Sequence, residues 1–177
     1  MNKIEVLVKE SILTGQNFSS KEEATIAAGE ILLQNGYIEK DYIQSMLEKL
    51  DTQSFATYIG NGVAIPHGMS EGSKHVKHTG ISVIQVPDGV LWNEEMAYVI
   101  VGIAANSDDH MGVLSALADA IEEEEDAKKL WQESSVDNIF NLLSMSLLNR
   151  PFILVQGILV EDLLLQHFKL IALMLLL

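Results

Sequence analysis

The chain has 177 residues, 48% of them hydrophobic and 20% charged, a composition that buries a core and excludes a disordered polymer. A formal net charge of −14 opposes nucleic acid and anionic membranes and favours a basic protein partner. The absence of cysteine excludes disulfides, thiolate nucleophiles and cysteine-held metals, and suits a reducing cytoplasm.

The first ten residues, MNKIEVLVKE, spread their charges and carry no apolar block, so no secretory signal is expected. Ser20-Lys21-Glu22-Glu23 has the form of a capping box. Behind it Ala24, Ala27, Ala28, Ile31 and Leu32 recur at helical spacing, with Gly36 placed to end the helix. A second helix is expected over 41–50, with Ile43, Met46, Leu47 and Leu50 inward. The period then changes. Segments 57–59, 63–65, 80–86 and 98–104 read as short strands, three of them rich in β-branched residues, and Pro87-Asp88-Gly89 reads as a turn. Asp108 or Asp109 is placed to cap a helix to about 123, with Leu114, Leu117, Ala118 and Ile121 on one face and EEEED at 122–126 as its solvated end. Ser134 or Ser135 is placed to cap a last helix through 145. Helices, then strands, then helices predict an α/β fold with a mixed sheet and helices packed on it.

From residue 146 onward, 21 of 32 residues are apolar. The longest unbroken apolar run is 170–177, against the roughly 20 residues a membrane span needs. Gln156, Glu161, Asp162, Gln166, His167 and Lys169 interrupt the rest, so no direct span is expected. A helix docked on the domain or on a second copy accounts for this segment; so does sequence foreign to the domain, such as a shifted reading frame.

Chemistry comes down to five histidines: His67, His75, His78, His110 and His167. For any one of them the plain reading is a surface or satisfied core group. His67 lies in TYIGNGVAIPHGMSEG, after a predicted strand and Pro66 and before Gly68, so its backbone is pinned and approach from outside is expected to be open. His110 follows Asp108 and Asp109 at a predicted helix N-terminus, where free N–H groups and the dipole favour an anion. An imidazole beside such donors is suited to hold a phosphoryl group, since its nitrogen is a nucleophile and the transfer is mostly positioning and charge stabilisation. GxxxxGK[ST] is absent, so no nucleotide or other cofactor is expected, and no metal.

The runs TYIGNGVAIPHG, KHTGISVIQVPDGV, VIVGIAANSDDH and SSVDNIFNLL resemble the IIA component of the bacterial phosphoenolpyruvate-dependent sugar phosphotransferase system, and within it the mannitol type. The resemblance covers about residues 4–145, which sets a IIA domain at 1–145 and an apolar extension without family counterpart at 146–177. It implies a three-layer α/β/α sandwich with a mixed central sheet, a cytoplasmic location and a phosphohistidine. The phosphoryl group is then accepted from the histidine-containing phosphocarrier protein and passed to a cysteine of a IIB domain or IICB mannitol permease at the membrane's inner face. His67 stands at the family's phosphorylated histidine, with its tele nitrogen as the expected acceptor, and His110 at a second active-site histidine that stabilises the phosphoryl group. The family usually places an arginine in the helix before the strand; here the run MLEKLDTQSFATYIG offers Lys49, a point charge without the bidentate fork.

Two other functions fit parts of the pattern. One is a regulatory module of the fructose or nitrogen type that is phosphorylated and passes nothing on. The other is a metal-dependent hydrolase using His67, His110 and Asp108 or Asp109, with His75-x-x-His78.

Overall fold

The computed structural model describes residues 6–148. The expected extension over 146–177 lies outside the described residues from 149 on, and His167 with it.

Helix α1, Lys21–Gln34, begins as its sequence dictates. The Ser20 hydroxyl accepts the Glu23 amide at 3.2 Å, but the Glu23 carboxylate reaches back to the amide and hydroxyl of Ser19. Gly36 takes φ of 78° just beyond the helix, a left-handed conformation that glycine adopts without the strain most side chains meet. Helix α2 spans Asp41–Thr52 and so runs past the expected end at Leu50.

Five strands form one mixed sheet in the order β1-β4-β5-β3-β2: β1 Ile12–Leu13, β2 Tyr58–Gly60, β3 Val63–Ala64, β4 Gly80–Trp92 and β5 Glu95–Ala104. β4 and β5 are antiparallel, whereas β1 lies parallel to β4 and β3 parallel to β5. β1 was not expected, because two residues are too few to show an alternation. Pro87-Asp88-Gly89 is not the expected turn. β4 runs through it with a register shift between Gln85 and Val90, and the chain reverses at Asn93-Glu94, where Asn93 has φ of 61°. Proline lacks the amide a ladder uses and glycine accepts positive φ, so the same residues suit a bulge as well as a turn.

The sheet is covered on both faces. Ile81, Val83, Val99, Val101 and Ile103 pack with Val113, Leu117, Leu130 and Ile139 of α3 Ser107–Ala120, α4 Glu124–Gln132 and α5 Val136–Leu148. On the other face Ile84, Val86 and Ile100 pack with Ala24, Ala28 and Leu50 of α1 and α2. Residues therefore alternate between two cores along one strand, which makes the strands apolar throughout. The small residues of α1 allow close approach, and the Ser82 hydroxyl donates to the Ala28 carbonyl at 2.9 Å. This is the expected three-layer α/β/α arrangement.

Helix α4 corrects the reading of EEEED. Glu124, Glu125 and Asp126 form its first turn, where carboxylates meet the positive end of the helix dipole. Lys128 and Lys129 then pair with Glu124 and Asp126 one turn on. The Ser135 hydroxyl caps α5 by accepting the Asn138 amide at 3.3 Å, as expected, and α5 continues to Leu148. Among the described residues no helix is long and apolar enough to cross a membrane.

Candidate functional site

β3 and β5 are neighbours and parallel, so both end at the same edge of the sheet. Beyond β3 the chain stays beside β5: the Pro66 carbonyl accepts the Ile103 amide at 3.0 Å and His67 bridges Ile103. β5 ends at Ala104 and α3 starts at Ser107, which carries His110 back over the same edge. The two imidazoles meet with ring centroids 4.9 Å apart, at the carboxyl ends of parallel strands where α/β sheets gather ligands.

The cap of α3 is neither Asp108 nor Asp109. Asn106 accepts the Asp109 amide on its side-chain oxygen at 3.0 Å and the His110 amide on its carbonyl. Asparagine caps as well as aspartate and stands where β5 releases the chain. The Asp109 carboxylate instead accepts from the Thr79 hydroxyl.

His67 is only 3% exposed, which corrects the expectation of an open turn residue. The loop after it is tied beneath α2. The Tyr42 hydroxyl donates to the Ile103 carbonyl at 2.8 Å and accepts the Gly68 amide at 2.9 Å, and the Ser45 hydroxyl accepts the Met69 amide at 2.9 Å. Glycine at 68 permits this, since a Cβ there would come within 2.6 Å of the Tyr42 ring. Burial pushes the Tyr42 hydroxyl up to about 12 against the lowering effect of the Gly68 amide, so it remains a neutral donor.

The protonation of His67 follows from its neighbours. Nδ1 lies 2.7 Å from the Ile65 carbonyl oxygen. A carbonyl only accepts, so Nδ1 carries the hydrogen and Nε2 carries the lone pair. Nε2 is buried without a hydrogen-bond partner. Burial, then the neighbouring His110, then Lys49 push the imidazole pKa down to about 3, against the raising effect of the Ile65 bond. Burial and then Lys49 push His110 down to about 4. Both rings are neutral at pH 7.

These groups share a pocket of about 360 Å³, with Tyr42, Lys49, Gln53 and Met69 also on its wall. Lys49 is 5% exposed and makes no salt bridge among the described residues. Burial lowers its pKa and Glu71 opposes that. The structure thus brings together all three predicted site residues. Tyr42, Ser45 and Gln53 were missed. Their signal is helical spacing, which puts Tyr42, Ser45 and Lys49 on the buried face of α2 before the chain reaches Gln53. A neutral nucleophilic nitrogen, a second imidazole, a cation and a helix N-terminus suit an anion with an electrophilic centre.

The metal reading finds no such convergence. His75 pairs with Glu39 at 3.2 Å, His78 is exposed, and neither lines the pocket. Among the described residues no three histidine, aspartate or glutamate side chains gather as metal ligands.

Fold and site together define an α/β protein that holds an unprotonated, buried imidazole on a pocket whose lining suits an anion. The model of the family "Phosphoenolpyruvate-dependent sugar phosphotransferase system, EIIA 2" matches residues 5–146, and the chain belongs to that family, as a phosphotransferase component. It is 42% identical over 142 residues to the mannitol-specific phosphotransferase enzyme IIA component of Bacillus subtilis (strain 168), covering 80% of this chain and 98% of that protein. It is 37% identical over 138 residues to the mannitol-specific EIICBA component of Escherichia coli (strain K12), covering 76% of this chain and 21% of that protein. Among solved structures, the complex of mannitol enzyme IIA with phosphorylated mannitol enzyme IIB from Escherichia coli matches with a TM-score of 0.74 at 36% identity, over 78% of this chain and 97% of that one. The crystal structure of IIA mannitol from Escherichia coli matches with a TM-score of 0.72 at 37% identity, over 77% and 98%.

Proposed function

We propose that this chain is a phosphocarrier of mannitol uptake: Nε2 of His67 accepts a phosphoryl group from the histidine-containing phosphocarrier protein and gives it to a cysteine of a IIB domain or IICB permease. The observation that carries this reading is the 2.7 Å bond from Nδ1–H to the Ile65 carbonyl, which leaves Nε2 unpartnered in the pocket of His110 and Lys49. In the first step the donor's N–P bond breaks as the Nε2–P bond forms, and the donor nitrogen recovers its electron pair. No proton leaves His67; the ring's new positive charge is met by the Ile65 carbonyl. In the second step the cysteine thiolate forms the S–P bond and Nε2 recovers its pair. Lys49 and His110 stabilise the charge on the three equatorial oxygens. The complex of a relative with phosphorylated enzyme IIB supports the acceptor. The charge of −14 suits a donor with a basic rim. The chain then works in the cytoplasm and meets the membrane through its permease partner.

The test is incubation with phosphoenolpyruvate, enzyme I and the phosphocarrier protein, then with a IIB domain. One acid-labile, base-stable phosphoryl group per chain should form and pass on; an unlabelled wild type would overturn the reading.

Acceptance should also be insensitive to mild acid. With His67 held near 3, its rate relative to a free imidazole acceptor should rise as pH falls from 8 to 5. An ordinary histidine loses about 30-fold of its neutral form by pH 5. A ratio that stays constant would show that His67 titrates normally.

The division into a domain at 1–145 and an extension at 146–177 is likewise proposed, supported by the family match ending at 146. Because the described residues up to Leu148 already complete both faces of the sheet, deleting 149–177 should leave the folded core and labelling intact, within about twofold. Loss of helical circular dichroism on deletion would make the segment part of the core.

A further inference from the structure

Gln53 has no role in the reading above, yet it lies on the pocket wall. Its backbone amide donates to the Lys49 carbonyl at 2.8 Å, so Gln53 caps the α2 turn that carries Lys49. Its side-chain Oε1 is buried and has no hydrogen-bond partner. Such groups are rare in folded chains, and each calls for a specific cause.

Two buried acceptors therefore stand without a hydrogen-bond partner on one pocket, Nε2 of His67 and Oε1 of Gln53, and the buried Lys49, which makes no salt bridge among the described residues, lines the same space. Nε2 and Oε1 are both acceptors and do nothing for each other. A group placed there must bond to Nε2 and accept hydrogen bonds from the cation and the amide NH₂, while Oε1 needs a donor, which the Lys49 ammonium can supply. A phosphoryl group has that form, with three acceptor oxygens around the bonded phosphorus. Lysine alone supplies charge without direction, whereas a planar amide supplies N–H donors at fixed angles.

We infer that Gln53 is a phosphoryl-binding residue: its side-chain NH₂ donates to an oxygen of the group on Nε2, while Oε1 accepts from the Lys49 ammonium and holds it against the same group. This rests on His67 being the phosphoryl acceptor. Gln53 lies just beyond the α2 turn that carries Lys49, so lysine and glutamine together supply both charge and angle.

The test compares wild type with Gln53→Leu, which removes donor and acceptor at similar volume, and Gln53→Glu, which replaces the donor by a negative charge. Both variants should still label at His67. In Gln53→Leu, kcat for both half-reactions should fall about 10- to 100-fold with KM for either partner unchanged. Gln53→Glu should fall further, because a carboxylate repels the phosphoryl dianion. The Gln53 side-chain NH₂ resonances of wild type should shift on phosphorylation, and the phosphorus resonance of the phosphohistidine should differ in Gln53→Leu. A residue that only packs would change the melting temperature and leave kcat and both resonances alone. If Gln53→Leu does not fold, the wild-type NH₂ resonances decide. Full labelling with Gln53→Leu rates within about twofold of wild type, or unshifted NH₂ resonances, overturns this inference alone. A wild type that takes no label overturns the phosphocarrier reading and this inference with it.

Discussion

His67→Gln should abolish phosphoryl acceptance, lowering the labelling rate at least about 10³-fold. The glutamine amide still donates toward the Ile65 carbonyl, so the loop keeps its anchor, but an amide nitrogen has no lone pair to attack phosphorus. The measurement is radiolabel incorporation at equal donor concentration; labelling near the wild-type rate would place the nucleophile elsewhere. Stability gives a second readout. Above pH 6.5 the imidazole is neutral both folded and unfolded and contributes no pH dependence. Between 6.5 and about 3 the unfolded chain binds a proton that the buried ring refuses, so stability falls as pH falls. Glutamine takes up no proton, and the acid-unfolding midpoint of the variant should therefore move to lower pH. His110 acts in the same direction between 6.5 and about 4, so the shift is partial.

His110→Ala should separate the two half-reactions. The nucleophile survives, so His67 still accepts its phosphoryl group. Transfer onward to IIB should slow on the order of 10²-fold, the usual cost of losing one donor aimed at transition-state charge. His110 is neutral near pH 7, so it acts through an N–H hydrogen bond and not as a cation. Charge spreads over the equatorial oxygens most in the transition state, where such a donor contributes most. His110→Gln retains a donor and should recover part of the rate. Rapid-quench kinetics of both half-reactions decide; unchanged rates in His110→Ala would reduce the residue to a packing role.

The sequence is most legible where a local rule and the global fold agree. The Ser20 hydroxyl cap, the end at Gly36, the strands over 80–86 and 98–104 and the Ser135 cap all follow from nearby residues. Errors arise where one chemistry serves two structures. Pro87-Asp88-Gly89 suits a bulge as well as a turn. EEEED suits the start of α4 as well as the solvated end of α3, and only the lysines at 128 and 129 tell them apart. The site divides in the same way. His67, His110 and Lys49 are chemically conspicuous, and the structure gathers them in one pocket. The burial of His67 was invisible because its cover comes from Tyr42 and Ser45, distant in sequence and unmarked by composition. Gln53 was hidden because it is a polar residue just beyond the end of α2, and nothing local shows that its side chain turns into the pocket.

The Tyr42 hydroxyl, held between the Ile103 carbonyl and the Gly68 amide, fastens helix, loop and sheet at a single atom. For the carrier proposed above, which would meet two partners in turn, any reshaping of this loop would have to be undone before the next encounter. With this pin in place the loop's geometry is fixed when the chain folds. On the phosphocarrier reading proposed above, neither partner then has to reshape the loop that follows His67.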